Sequence, residues 1–537
     1  MSGSASVVAP NRSRGALVAV VVAAVLSLAV YLMTAAPTVM YGDSGELQAA
    51  GLLGGVGHPS GYPTFIMLGQ VFGRLVPGDP AHRITVMSAV FGGVGVLAFG
   101  LLLIELGLSA AGTLAGTLLF AASFTVWWAA IRCEVYTLAI ACFLLCLVAT
   151  LRAFRSGARR DAILAAFLLG LTLTTHMAYA PAALVVMAML AWHTGPWRGR
   201  NLSGWAGLAV GFVVGLLPIF YLVYADPRTE ATNYLKYTVD LQAHMFGLTP
   251  ETFHTPWQRL PWLMFGREWA SVGRMVRPLI LVRNVIDLLG HSFMFEVGPL
   301  ALVPFVVALK TRPGRPQAAD LLLGGTMLSS FVFGIAFIGG DSRMLPINTV
   351  PYGLMVVAFV AIGLDRLIAS APMRPLLRVL VALVVFVLIA AVPHALRVLA
   401  SHHPIGPRAW QVVEEGPPQI TSFILRLDQY REPREVGERL MREIPHGAFV
   451  AALWNEIAVL KYLQLVEGQR PDLTFDPFYL GHLQRMKGWQ EKYDLRERPF
   501  VGVGDMPELR PYLDRADSVS YAPGKYFFVQ RSPIRLP

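Results

Sequence analysis

Long uncharged apolar runs alternate with short polar loops over most of this chain. The first extends from Gly15 to Gly42, and others cover roughly 84–104, 109–131, 135–151, 202–224, 297–309, 321–340, 344–364 and 379–396. Most approach the roughly 20 residues a helix needs to cross a hydrocarbon core about 30 Å thick. The segment 162–192 is too long for one crossing: as a straight helix it would reach about 46 Å. It is also interrupted by His176 and Pro181. We read it as two short legs meeting around Thr175–Pro181, which gives about eleven spans. The shorter run Tyr62–Val76 has helix-breaking flanks and reads as an interfacial or re-entrant helix within the first external loop. The first run is too long for a typical signal-peptide core, so it is read as an uncleaved span.

Arginines orient these spans. The loops Arg152–Arg160, Trp197–Arg200, Lys310–Arg315 and Arg366–Arg378, with Arg12 and Arg14, fall on one side of an eleven-span chain. The positive-inside rule makes that side cytoplasmic. A single pass through 162–192 would instead set Arg198 and Arg200 opposite Arg152–Arg160. Much of the net charge of +10 sits in these loops, so it reports topology and not nucleic-acid binding. The chain is 55% hydrophobic and 15% charged, against about a quarter charged in soluble domains. Its class is an all-α polytopic membrane protein. Richness in Ala, Val, Leu and Arg suggests a bacterial plasma membrane. Cys142 and Cys146, four apart in an apolar run, read as small hydrophobes, and Cys133 adds no disulfide or zinc spacing.

The apolar pattern stops near residue 400. Residues 1–400 form the membrane domain, with external loops at about 43–83 and 225–293; residues 401–537 form a small extracytoplasmic α/β domain. In the latter, Phe449–Leu453, Asp472–Phe475 and Phe500–Val503 read as strands and Glu456–Glu467 as a helix. Ser518–Ala522 and Tyr526–Gln530 read as a hairpin turning through Pro523-Gly524. The loop 225–293 carries Trp257, Trp262 and Trp269 among charges, as amphipathic helices at a membrane surface do. No internal repeat is present.

The same topology sends scattered polar groups to one face. Asp43 and Glu46, His58, Arg132 and Glu134, His176, and Asp341 and Arg343 all fall on the external side. Acids and histidines barely enter the charge rule, so this convergence is independent of it, and it is the pattern of a site between helix ends. Each group also has a plainer explanation. Asp43 and Glu46 have the spacing of a capping box; alternatively Asp43 points into a cavity as general base. His58-Pro59-Ser60-Gly61-Tyr62-Pro63 is a rigid turn that either starts the next helix or presents donors to a phosphate or sugar. Glu134 suits a helix start or an Arg132 ion pair, His176 suits packing, and Arg343 suits a snorkelling anchor or a phosphate ligand. The chain has no P-loop, no dinucleotide fingerprint, no H-E-x-x-H and no G-x-S-x-G. Energy would come from an activated substrate or an ion gradient.

Asp43-Ser44-Gly45-Glu46, His58-Pro59-Ser60-Gly61-Tyr62-Pro63 and Glu134-Val135-Tyr136 together resemble the DUF2723 family, the transmembrane protein 260-like proteins. Asp341-Ser342-Arg343-Met344-Leu345-Pro346 is similar to that family's later pattern. The family usually has two prolines after the histidine; here Ser60 takes the second place. The group resembles GT-C glycosyltransferases, including protein O-mannosyltransferases. That resemblance implies a GT-C-like fold and a polyprenyl-phosphate-linked sugar donor. It also implies inverting transfer to a protein or glycan hydroxyl outside the cytoplasm. The catalytic carboxylate it implies falls on Asp43, and less strongly on Glu46.

The expected activity is therefore inverting transfer of a sugar, mannose in the family's closest parallel, by single displacement. Asp43 and Glu46 are the catalytic candidates. His58, Tyr62, Arg132, Glu134, His176, Asp341 and Arg343 are the substrate-binding ones. Among these, Arg343 and His176 are expected to face the departing phosphate. The donor is a co-substrate, and no cofactor is expected. Asp43, Glu46, Glu134, His58 and His176 could supply metal ligands, but no spacing demands a divalent ion. The alternative is a transporter or flippase for a lipid-linked or small polar substrate, which should carry charges at mid-span and repeat symmetry. A third reading is a scaffold whose external domain binds partners, which leaves the clustered carboxylates unexplained.

Overall fold

The computed structural model describes residues 14–194, 203–229, 231–234, 236, 255–265, 278–311, 318–337, 349–401, 426–478, 486, 489, 493, 495, 497–504, 506, 509–512, 517–522 and 525–530. Trp269, Asp341 and Arg343 lie outside the described residues.

The membrane part opens with α1 (Arg14–Thr34), two shorter helices α2 (Gly42–Leu53) and α3 (Pro63–Leu75), and the long α4 (Pro80–Glu105). Next come α5 (Ala110–Ala122), α6 (Phe124–Ala130), α7 (Tyr136–Ser156), α8 (Arg159–Thr175), α9 (Ala180–Thr194), α10 (Ser203–Leu216) and α11 (Ile219–Ala225). After α12 (Pro256–Met264) and α13 (Pro278–Gly290), the bundle closes with α14 (Leu302–Lys310), α15 (Ala318–Phe337), α16 (Val350–Ser370) and α17 (Pro375–Ser401). Local chemistry sets several boundaries. Asp79 caps α4 by accepting from the amides of Ala81 and His82, with Pro80 in the first turn. Ser109 caps α5, and Gly157 ends α7 in the left-handed region.

Among the described residues, eight helical segments are long and apolar enough to cross a membrane, and ten if each of two bent pairs crosses once. The 17-residue α8, packed between α7 and α10, is the remaining leg of the expected eleven. The break expected within 162–192 falls at His176, which is extended and leads into a 3₁₀ turn over Met177–Tyr179. Two expectations change. The expected span 109–131 is α5 and α6, bent by 58° at Ser123. The expected span 297–309 is half of a pair, 278–294 and 299–310, bent by 95°. Gly298 at positive φ and Pro299 after it make that corner, so α13 belongs with the bundle and not with the surface loop. Val18, Val22, Val25 and Leu26 of α1 are exposed, an apolar face suited to lipid, while α7 is buried at the centre. At the far end of α4 and α7, Glu105 is held by Arg152 at 2.8 Å and by Arg155.

The C-terminal unit contains α18 (Glu432–Glu443), α19 (Trp454–Leu465) and strands β1 (Phe449–Ala452), β2 (Thr474–Pro477), β3 (Phe500–Val503), β4 (Asp517–Ala522) and β5 (Lys525–Gln530). The sheet order is β2-β1-β3-β5-β4. Strand β1 is parallel to β2 and β3, whereas β5 runs antiparallel to β3 and β4. The strands fall where apolar alternation placed them; α18, rich in charge, was not expected. One face of the sheet packs Phe449, Trp489 and Phe500. The other packs Leu440, Val450, Val501 and Phe527 into a core that also takes in Val39, Tyr41, Ala49 and Ala81 of the membrane part. A polar clamp adds to this apolar junction. Arg434 donates to Glu467 at 2.8 and 2.9 Å and to Thr38 at 3.0 Å. The C-terminal unit is thus seated on the α1–α4 end of the bundle.

Candidate active site

Asp43 lies in the first turn of α2, on the side facing α19. The capping box does not form: the helix is preceded by Tyr41, which makes no side-chain cap. The Asp43 carboxylate has other partners. Its Oδ1 accepts from the indole Nε1 of Trp454 at 2.7 Å, and its Oδ2 lies 3.4 Å from His58 Nε2. The side chain is 30% exposed, whereas that of Glu46 is 8% exposed. Gly45 allows this approach: a Cβ there would stand 2.4 Å from the Met40 carbonyl oxygen and 3.2 Å from Ala458 Cβ.

Glu46, one helical turn on, holds the His58 loop. Oε1 accepts from the His58 amide at 3.0 Å and Oε2 lies 2.6 Å from His58 Nδ1. Burial pushes the pKa of Glu46 up, and the adjacent His58 opposes that shift. With both oxygens engaged on one loop, Glu46 orients His58 rather than facing the surface. The loop itself turns through Gly61, whose φ of +82° and contact with Leu222 and Leu263 exclude a side chain. Tyr62 then caps the loop: its hydroxyl lies 2.8 Å from His58 Nε2 and donates to the Pro59 carbonyl at 2.9 Å.

Glu134 approaches from the link between α6 and α7. Its backbone exchanges hydrogen bonds with Ser88 Oγ at 3.0 and 3.1 Å, and its Oε1 accepts from Ser44 Oγ at 3.0 Å. It is buried, and its pKa is pushed up to about 8, first by burial and then by the charge of Asp43. Arg132, also buried, sets its guanidinium 4.7 Å above the Trp128 ring. His176, at the helix break, packs between Tyr62 (5.7 Å) and Tyr136 (5.3 Å). Its Nδ1 accepts from the Ala178 amide at 3.1 Å, so in the neutral ring Nε2 carries the proton. Burial holds its pKa down to about 3, so His176 offers a neutral N–H and not a positive charge.

The structure therefore brings Asp43, Glu46, His58, Tyr62, Glu134 and His176 into one cluster at the α2 end of the bundle, with Arg132 next to Glu134. Sequence reading missed four members. Ser44 and Tyr136 sat unremarked inside the quoted motifs. Tyr234 is placed by a strap, with Val56 bridged to Asn233 and the Tyr234 amide donating to the Val56 carbonyl at 2.9 Å. Its ring stands 6.2 Å from His58 and 5.8 Å from Trp454. Trp454, 411 positions from Asp43, carried no sequence signal.

Ligand atoms of Asp43, Glu46 and His58 lie within 4.8 Å of one another, close enough to gather round a cation. As arranged, His58 Nδ1 is engaged by Glu46 and Nε2 by Tyr62, so protons already satisfy the imidazole.

Fold and cluster define an integral, multi-pass membrane protein of the GT-C-like class with a small C-terminal sheet domain. Residues 43–198 match the family described as the Protein O-mannosyl-transferase TMEM260 N-terminal domain. The chain is 30% identical over 310 residues to Protein O-mannosyl-transferase TMEM260 of Mus musculus, covering 57% of this chain and 42% of that protein. It is 23% identical over 325 residues to the tmem260 protein of Dictyostelium discoideum, covering 57% of this chain and 38% of that one. The matched region is thus less than half of either relative. Among solved structures, ArnT from Cupriavidus metallidurans bound to undecaprenyl phosphate superposes with a TM-score of 0.52. The match is 13% identical and covers 95% of this chain and 97% of ArnT, a likeness of fold.

Proposed function

We propose that this chain is an inverting membrane glycosyltransferase. In this reading it moves a sugar, mannose in the first instance, from a polyprenyl phosphate to a hydroxyl on a protein acceptor. The observation that carries the reading is the setting of Asp43: a carboxylate partly open at the end of the bundle, with one oxygen fixed by Trp454 and the other turned toward His58. The names of the two relatives favour mannose and protein. The undecaprenyl phosphate bound by ArnT, on the same fold, favours the lipid donor.

The step is a single displacement. The acceptor O–H gives its proton to Asp43 Oδ2 while its oxygen attacks C1 of the sugar. The C1–O bond to phosphate breaks, and the polyprenyl phosphate leaves with the electron pair. Glu46 and His58 hold the loop opposite the base, so orientation is set before reaction. Arg132 and Arg343 supply positive charge toward the phosphate, and His176 contributes a neutral N–H donor. This amends the expectation that His176 acts as a cation. Arginine-rich loops at the opposite end of the bundle put the site outside the cytoplasm.

Purified protein incubated with an acceptor peptide and a panel of polyprenyl-phosphate sugars should release polyprenyl phosphate, fastest with mannose. No release with any sugar would end the proposal. The reaction is further proposed to need no divalent ion, because the imidazole that would complete a cation site is already held by Glu46 and Tyr62. Transfer should keep its full rate in excess chelator. A loss on chelation that Mg²⁺, Mn²⁺ or Zn²⁺ restores would show that Asp43, Glu46 and His58 serve as ligands instead.

A further inference from the structure

A groove of about 400 Å³, part of it open, runs between α2 and α19 and begins at the site. Its inner end is Glu46 and Trp454, the latter hydrogen-bonded to Asp43. Its floor is small and apolar, made by Ala49 and Ala50 on one side and Ala458 on the other. Helix α19 turns Trp454, Ala458 and Lys461 to this groove from one face, as a spacing of three to four residues dictates. The exposed Ala231 stands at the rim.

We propose that this groove is the acceptor subsite and that it selects an extended polypeptide with small side chains beside the hydroxyl and an acidic residue farther along. The inference rests on the glycosyl-transfer reading. Three observations favour a peptide over the lipid chain of the donor. Helices α2 and α19 have 12 residues each and are not among the segments able to cross a membrane, so the groove lies off the bilayer. Its walls join the membrane part to the C-terminal unit, and they are continuous with the shared core around Ala49. Its charges are also uneven. Among the lining residues the anion is Glu46, whose oxygens hold His58, and the cation is Lys461.

The spacing fixes where the acidic residue belongs. Lys461 is two helical turns beyond Trp454, about 10 Å along α19. An extended chain advances about 3.3 Å per residue. An acid facing Lys461 therefore sits about three residues from the hydroxyl at Asp43. Alanine floors leave room beside the hydroxyl for Gly, Ala or Ser and crowd out large side chains.

The test uses the full-length protein in lipid nanodiscs and fluorescent peptides that share one threonine in an alanine–serine background. One pair carries Asp three residues before or after the threonine, and a matched pair carries Lys there. Anisotropy should show one Asp peptide bound about tenfold tighter than its Lys counterpart. Lys461→Glu should reverse that order. Ala231→Trp, at an exposed rim position, should weaken both peptides by obstructing the groove. Equal binding of all peptides, unchanged in Lys461→Glu and Ala231→Trp, would overturn the assignment. Transfer is scored separately by polyprenyl phosphate release. Transfer without the Asp preference removes this groove and leaves the enzyme. The Asp preference without transfer keeps the groove and removes the glycosyltransferase.

Discussion

Asp43→Asn should lose about 10²- to 10⁴-fold in transfer rate, the range a positioned general base supplies. The substitution is nearly isosteric. The amide oxygen can still accept from Trp454 Nε1, now at 2.7 Å, so the seat of α19 on α2 is retained. What disappears is the oxygen that faces His58 at 3.4 Å and is open to an incoming hydroxyl. The loss should therefore fall on kcat, with little change in donor binding, because the proton moves only on the way to the transition state. Glu46→Gln is the informative comparison. Its oxygens hold the His58 amide and ring, so the amide keeps part of that scaffold and the loss should be smaller than for Asp43→Asn. Rates and donor affinities of the two variants, measured side by side on purified protein, separate the base from the residue that orients its neighbour. An Asp43→Asn enzyme at full rate would dismiss Asp43 from the reaction.

The membrane part was readable because a bilayer leaves a chain few choices. Long apolar runs must be helices, and arginines mark one side of them. Even the break in 162–192 followed from length alone, and it fell at His176. The bends at Ser123 and Gly298 were not readable, because a run that changes direction keeps the same hydropathy. The site was half readable for a similar reason. Asp43, Glu46, His58 and Glu134 are polar groups where polarity is costly, so they stand out against an apolar background. Trp454 and Tyr234 are aromatic residues in stretches where aromatic residues are ordinary, and only the docking of α19 and the 231–234 strap brings them to Asp43 and His58. Position along the chain also misled about roles. Glu46 and Asp43 looked equivalent three residues apart, yet α2 turns one carboxylate inward to a loop and the other toward a groove. Sequence shows which groups are present; the packing of α2 between the bundle and α19 decides which can meet a substrate.

The stability of the protein should fall as pH rises from about 5 to 8, and Glu134→Gln should remove most of that fall. Glu134 sits in the link before α7, wrapped by Ser44 and Ser88, with its pKa raised from 4.5 to about 8. Between these two values the unfolded chain has released the proton and the folded chain retains it. The folded state then binds more protons, so unfolding becomes easier as pH increases. Below 4.5 the group contributes nothing, and above 8 the cost levels off at roughly 5 kcal/mol. Glutamine keeps an oxygen for the Ser44 hydroxyl and cannot ionise, so its melting temperature should vary less over the same window. Thermal unfolding in detergent, followed by tryptophan fluorescence at several pH values, reads the difference. Parallel curves for the two proteins would mean that Glu134 is already charged in the fold. The same proton bears on the proposed chemistry. At neutral pH Glu134 is a neutral acid beside Arg132, with a hydroxyl to offer an anionic donor. Once ionised it adds a negative charge next to the phosphate, so the KM for the donor should rise above pH 8 in the native protein and stay level in Glu134→Gln.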